Sequence, residues 1–131
     1  MPVNHLGIPV SDIERSKRFY SAALAPLGMK ITMEFGPDQT ESGGTAVGYG
    51  EEGDSGLFWI GDNEKVGEGI HVAFDAESHD AVDAFHAAAL AAGGRDNGAP
   101  GPRPHYGPNY YAAFVYDPDG ANIEAVCDKP F

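Results

Sequence analysis

VNHLGIPVSDIERSKRFYSAALAPLG occupies residues 3–28, and GIHVAFDAESHDAVDAFHAAALAAGG occupies residues 69–94. Laid on each other without a gap, His71 falls on His5, Phe85 on Phe19, Leu90 on Leu24 and Gly94 on Gly28, each pair 66 positions apart. Ala22, Ala23 and Ala25 likewise match Ala88, Ala89 and Ala91. Alanine-rich helices inflate such matches, so the His and Gly pairs carry most of the weight. One register held across a strand, a turn and a helix marks two copies of one supersecondary unit.

The unit can be read locally. HLGIPV is a short apolar run with a β-branched bias, which predicts a strand. Ser11-Asp12-Ile13-Glu14 reads as a capping box with Ser11 as the N-cap. Ile13, Tyr20, Leu24 and Leu27 follow at helical spacing, widened by Phe19 and Ala23, and Gly28 is the expected left-handed stop. In the second copy Ser78 is the N-cap, Val82, Phe85, Ala89 and Leu90 form the stripe, and Gly93-Gly94 ends it. Strand-like runs follow each helix: MKITMEF, GTAVGYG and SGLFWIG in the first copy, then GGRDN, YYAAFVYD and ANIEAVC in the second. Asp117-Pro118-Asp119-Gly120 is a hairpin turn, with Pro presetting φ and Gly supplying a positive one. Each half therefore reads β-α-β-β-β. The chain is predicted to be α+β, one domain over residues 1–131, with repeat 1 over about 1–65 and repeat 2 over about 66–131. A lone copy would leave one sheet face bare, so the two pair.

Composition bounds the partners. The chain has 131 residues with 42% hydrophobic and 21% charged, enough for a packed core and too few charges for a disordered chain. A formal net charge of −12 repels phosphate backbones and anionic lipid, so no nucleic acid and no membrane is expected as a partner. No basic segment followed by an apolar run opens the sequence, so no signal peptide is expected. No apolar run reaches the roughly 20 residues of a membrane span. The single cysteine, Cys127, reads as a buried strand residue and fits a reducing, cytoplasmic setting.

Three residues stand out for chemistry. His5, His71 and Glu124 each fall in a predicted strand, and the two His occupy equivalent steps of the two copies. Alternation groups Glu124 with Asn122 and Val126 on one face. Turned inward, an ionised carboxylate needs a counter-charge or a metal. Two imidazoles and one carboxylate form a common facial set for a divalent cation with open positions. Taken singly, a strand His is more often a packed residue and a strand Glu a solvated one. The recurrence of His at one step of both copies favours the ligand reading.

The β-α-β-β-β repeat, the His of each first strand, SDIERSKRFYSAALAPLG and the ending DPDGANIEAV resemble the vicinal oxygen chelate superfamily. That group holds glyoxalase I, type I extradiol dioxygenases, fosfomycin-resistance enzymes and bleomycin-resistance proteins. The resemblance implies two βαβββ repeats forming a cupped mixed β-sheet. It implies His5, His71 and Glu124 as metal ligands and one divalent ion (Fe, Mn, Ni or Zn) that chelates two neighbouring oxygens of a small-molecule substrate. Glu124 is then a ligand, and also the catalytic base where the reaction is a proton-transfer isomerisation. A homodimer is implied, with repeats often exchanged, so that His5 of one chain meets His71 and Glu124 of the other. Glyoxalase I carries a fourth ligand in the last strand of its first repeat. Phe58 or Trp59 stands at that step here, and neither can ligate a metal. Three ligands resemble the extradiol dioxygenases, which are about twice this long. The alternative is a metal-free small-molecule-binding protein of the bleomycin-resistance type, a branch that has lost the ligands kept here.

RDNGAPGPRPHYGPNYY, residues 95–111, reads as one long ordered loop of the kind that forms lids. It offers Arg103 for a substrate carboxylate or phosphate, and His105, Tyr110 or Tyr111 as an acid behind the ligands. The bland reading has Arg103 paired with a surface carboxylate and the tyrosines packed on the sheet. Phe58 and Trp59 are candidate pocket walls for a flat substrate, although alternation sends them to opposite faces and one of them to the core. His79 and His86 are expected to have no role, and GEEGDSG at residues 50–56 reads as a solvated acidic turn.

Overall fold

The computed structural model describes residues 3–53 and 56–131. The first half runs β1 (Leu6–Pro9), α1 (Ile13–Leu24), β2 (Lys30–Phe35), β3 (Ala46–Gly50) and β4 (Phe58–Gly61). The second runs β5 (His71–Asp75), α2 (His79–Ala91), β6 (Arg95–Pro102), β7 (Tyr111–Tyr116) and β8 (Asn122–Cys127). Each half builds a four-stranded sheet, in the orders β1-β4-β3-β2 and β5-β8-β7-β6. The first strand pairs parallel with the last, and the others pair antiparallel. The two halves thus share one topology, as the repeat predicts, and the fold is α+β.

Alternation sorts the faces. Val47, Tyr49, Phe58 and Ile60 of the first sheet, with Ala113, Val115, Ile123 and Ala125 of the second, bury against the helices. From the helices come Phe19, Tyr20, Ala23 and Leu24 on α1, and Val82, Phe85 and Ala89 on α2. Leu90 is 37% exposed, so it falls off the stripe that spacing assigned it to. Cys127 is buried and free. No helix among the described residues is long and apolar enough to cross a membrane.

Three local expectations are corrected. The N-cap of α1 is Asp12, which accepts from the Arg15 amide at 3.1 Å, not Ser11. Ser11 faces the other half instead: its amide donates to Asp119 at 3.1 Å, its hydroxyl donates to the same carboxylate, and Arg15 adds an ion pair at 3.2 Å. Residues 95–111 are not one loop. Arg95–Pro102 is a strand, leaving only Arg103–Tyr110 as the connection, closed by a 2.7 Å bond from the Arg103 amide to the Tyr110 carbonyl. Pro and Gly are tolerated there because β6 is an edge strand with two register shifts. Lastly, His5 is not in the strand: β1 begins one residue later. Ser78 caps α2 as expected, and Gly28, at φ 81, closes the turn after α1. Asp54 and Ser55 of the acidic turn lie outside the described residues, while Glu52 beside them pairs with Lys30.

The Asp117–Gly120 turn does more than join β7 to β8. Asp117 Oδ1 accepts from the amides of Asp119 and Ala121, each at 2.9 Å. Its Oδ2 accepts from the Tyr20 hydroxyl at 2.6 Å, a fully buried link from one half to the other. Burial first, then the Asp117 charge, raise the Tyr20 hydroxyl well above the ordinary tyrosine range.

Candidate metal and substrate site

The face of the second sheet turned away from α2 gathers the polar side chains. His71 begins β5, and Glu124 lies in the neighbouring strand β8, opposite Ala73. His71 Nε2 stands 3.1 Å from Glu124 Oε1. The other ring nitrogen, Nδ1, is 2.9 Å from the Asn122 carbonyl. A carbonyl only accepts, so Nδ1 carries the hydrogen of that bond. Nε2 and Oε1 are then two electron-pair donors facing each other, and one shared cation must sit between them, a proton or a metal ion.

Glu124 is 2% exposed, and Tyr110 covers it, donating its hydroxyl to Oε2 at 2.5 Å. Burial and then this bond push the Tyr110 hydroxyl up to about 12, so it remains a donor at neutral pH. Tyr110 holds one carboxylate oxygen while the other faces His71. Phe114 lies opposite Glu124 on β7, with its ring 6.4 Å from the His71 ring. The Arg103 guanidinium lies 5.5 Å from the same Phe114 ring. It donates to the carbonyls of Gly101 at 2.9 Å and Ala99 at 2.7 Å. Among the described residues it pairs with no carboxylate, so the surface ion pair is not what holds it.

Other candidates go elsewhere. Tyr111 takes the opposite face from Tyr110: its hydroxyl donates to Asp83 of α2 at 2.6 Å and its ring stacks on His79 at 4.2 Å. His105 is exposed at the tip of the connection, against Tyr106 at 4.1 Å. His86 pairs with Asp96 at 2.9 Å. Phe58 is a core residue, 1% exposed and edge-on to Phe74. His5 is exposed and bonds to the neighbouring Asn4 at 2.6 Å. Among the described residues no three His, Cys, Asp or Glu side chains come together in one chain. The structure therefore unites His71 and Glu124 and leaves His5 apart.

The registers settle which residue answers to Glu124 in the first half. Gly7 pairs with Trp59 as Ala73 pairs with Glu124, and Gly48 pairs with Trp59 as Phe114 pairs with Glu124. Gly7 and Ala73, like Gly48 and Phe114, stand 66 positions apart. Trp59 is the counterpart. Its indole lies over Gly48, where a Cβ would come within 2.8 Å of the ring, and parallel to Phe35 at 5.7 Å. A cavity of about 240 Å³ adjoins it, lined by Gly7, Pro9, Ala46 and Gly61 among others. Gly48→Ala should displace the indole and destabilise the fold by about 1–3 kcal/mol. The chain has one tryptophan, so its emission spectrum reads the displacement directly. Asn122 and Phe114 were missed by sequence reasoning. Asn122 was legible only as a face-mate of Glu124, and nothing in its type marked its carbonyl as the His71 anchor.

A family model described as the Glyoxalase/Bleomycin resistance protein/Dioxygenase superfamily matches residues 3–125. Among solved structures, a glyoxalase/bleomycin resistance protein from Albidiferax ferrireducens is 32% identical at a TM-score of 0.75, over 98% of this chain and 100% of that one. A mutant of glyoxalase I from Zea mays is 28% identical at a TM-score of 0.72, over 97% of this chain but 47% of that one, so this chain spans about half the maize protein. A glyoxalase/bleomycin resistance protein/dioxygenase family enzyme from Burkholderia phytofirmans, 18% identical at a TM-score of 0.68, shares the fold. No curated protein matches. The chain belongs to the glyoxalase/bleomycin resistance protein/dioxygenase superfamily.

Proposed function

We propose that this protein is a divalent-metal-dependent enzyme of the glyoxalase or extradiol-dioxygenase type, acting on a small molecule that offers neighbouring oxygens to the ion. The observation that carries this reading is the His71–Glu124 pair, two donor atoms 3.1 Å apart with one cation to share. The donor set fits Fe, Mn, Ni or Zn as one imidazole and one carboxylate, with a second imidazole from His5. When bound, the ion supplies a Lewis acid for a developing oxyanion. The protein's own residues do the rest. The Asn122 carbonyl fixes the His71 tautomer, and Tyr110 fixes the rotation of Glu124. Where the reaction is a proton-transfer isomerisation, Glu124 is also the base.

His5 comes from a second copy in this reading. The lack of a three-donor cluster within one chain supports that, as do the outer edges of β1 and β5, which pair with no further strand among the described residues. Exposed Val3, Leu6 and Leu57 beside those edges line a cleft of about 560 Å³ that also supports a homodimer. Mixing His5→Ala with Glu124→Gln protein tests it. Each mixed dimer then holds one intact site, and metal retention should reappear that neither variant shows alone. No recovery on mixing contradicts the shared site.

Tyr110→Phe removes the bond to Oε2 without touching a ligand. Metal affinity should fall roughly tenfold, the lower end for such supporting bonds, as read by calorimetric titration with Zn(II). The second reading, a metal-free binding protein of the bleomycin-resistance type, is favoured by Trp59 at the counterpart of Glu124. It requires small-molecule binding that survives chelation, with no turnover.

A further inference from the structure

We infer that Arg103 is the seat for a carboxylate of the ligand, so that the molecules this site accepts are anionic oxyacids. The inference rests on reading the His71–Glu124 pair as the centre of the site. Its own support is independent of any metal. The chain carries 20 Asp and Glu against 8 Lys and Arg, so a cation here has carboxylates in abundance to pair with. Arg103 is half-buried and pairs with none among the described residues. Its partners are the Gly101 and Ala99 carbonyls, with the Pro102 carbonyl at 3.5 Å. Carbonyls satisfy N–H groups but bring no opposite formal charge, and the Phe114 ring offsets only part of it.

The local backbone is shaped to hold the guanidinium there. A Cβ at Gly98 would lie 3.2 Å from Nη2, and one at Gly101 would lie 3.3 Å from Nη1. Gly98, at φ 152, sits where the register of β6 shifts. Arg95, exposed at the other end of the strand, also lies over an aromatic ring of β7, 5.1 Å from Tyr116, and likewise without a carboxylate among the described residues. Two guanidinium groups thus lie on aromatic rings of β7 in an otherwise acidic protein. The Phe114 ring lies near both Arg103 and His71, 5.5 Å from the guanidinium and 6.4 Å from the His71 ring. Arg has five N–H donors in a planar fork, and the carbonyl bonds leave some of them over. A planar fork pairs bidentately with a planar carboxylate.

The test compares 3,4-dihydroxybenzoate with catechol, which presents the same two vicinal oxygens without the carboxylate. Titration calorimetry measures both on the wild type, Arg103→Gln, Arg103→Lys and His71→Ala. The wild type should prefer the carboxylated probe by about tenfold, the size of one added charge-assisted contact. In Arg103→Gln the two affinities should converge to within about twofold, and Arg103→Lys should keep only part of the preference. A merely structural role for Arg103, as a staple of the bulged β6, would lower the melting temperature and weaken both probes alike, leaving their ratio unchanged. Equal affinities in the wild type, no binding of the carboxylated probe, or a preference that persists in Arg103→Gln overturns the inference. His71→Ala separates it from the reading beneath it. If that variant binds both probes as the wild type does while Arg103→Gln erases the preference, the pair loses its role and Arg103 keeps its own.

Discussion

Glu124→Gln is expected to weaken divalent-metal binding by more than ~100-fold while leaving the fold intact. Bonds that merely support a ligand are worth about 10–100-fold, so loss of the ligand's charge should exceed the upper end. The amide has nearly the shape of the carboxylate. Its oxygen can still accept from Tyr110, and its NH₂ can donate to His71 Nε2, so the variant satisfies every partner without a cation. That is the reason to choose Gln over Ala: the loss is chemical and not structural. Titration with Zn(II) beside a thermal melt measures both. A variant that binds Zn(II) as tightly as the wild type would remove Glu124 from the site.

Asp117→Ala should produce the largest loss of stability, about 3–5 kcal/mol, the range for breaking a buried charged group from its partners. Asp117 is 2% exposed and accepts three hydrogen bonds, two from its own turn and one from Tyr20. Alanine leaves two amides and a fully buried hydroxyl without acceptors. In a domain of this size the melting temperature should fall by roughly 10–20 °C. Tyr20→Phe removes only the link between the halves and should cost about 1–3 kcal/mol. The double variant should cost much less than both losses added together, because the same bond is counted in each. Additive losses would mean that the turn and the link act independently.

The 66-residue repeat made the β-α-β-β-β succession of each half and both helices legible, because one ungapped register runs through a strand, a turn and a helix of both copies. His71 and Glu124 were legible as residues of the first and last strands of the second copy, but that those strands lie side by side came only from the pairing of β5 with β8. What sequence could not resolve was parity. Tyr110 and Tyr111 must face opposite ways, yet only the pairing of Tyr111 with Cys127 shows which one meets Glu124. Phe58 and Trp59 posed the same question. The sequence left Phe58 or Trp59 at the fourth-ligand step, and the strand registers decide for Trp59, which lies 65 positions before Glu124 and not 66. GGRDN marked the start of β6, but its run on to Pro102 was hidden because an edge strand with bulges does not need the apolar alternation that marks a central one. Ser11 was hidden by its neighbour: Asp12 caps the helix as well as Ser does, which released Ser11 to bind Asp119 across the halves.

The measurement that bears most directly on the central claim is metal content per chain, by elemental analysis of protein purified without a histidine tag, beside His71→Ala. About one Fe, Mn, Ni or Zn per chain in the wild type, lost in the variant, is the predicted result. The identity of the metal would then divide oxygen chemistry from isomerisation. A wild type that holds no divalent metal even after soaking would contradict the account and leave a metal-free binding protein in its place.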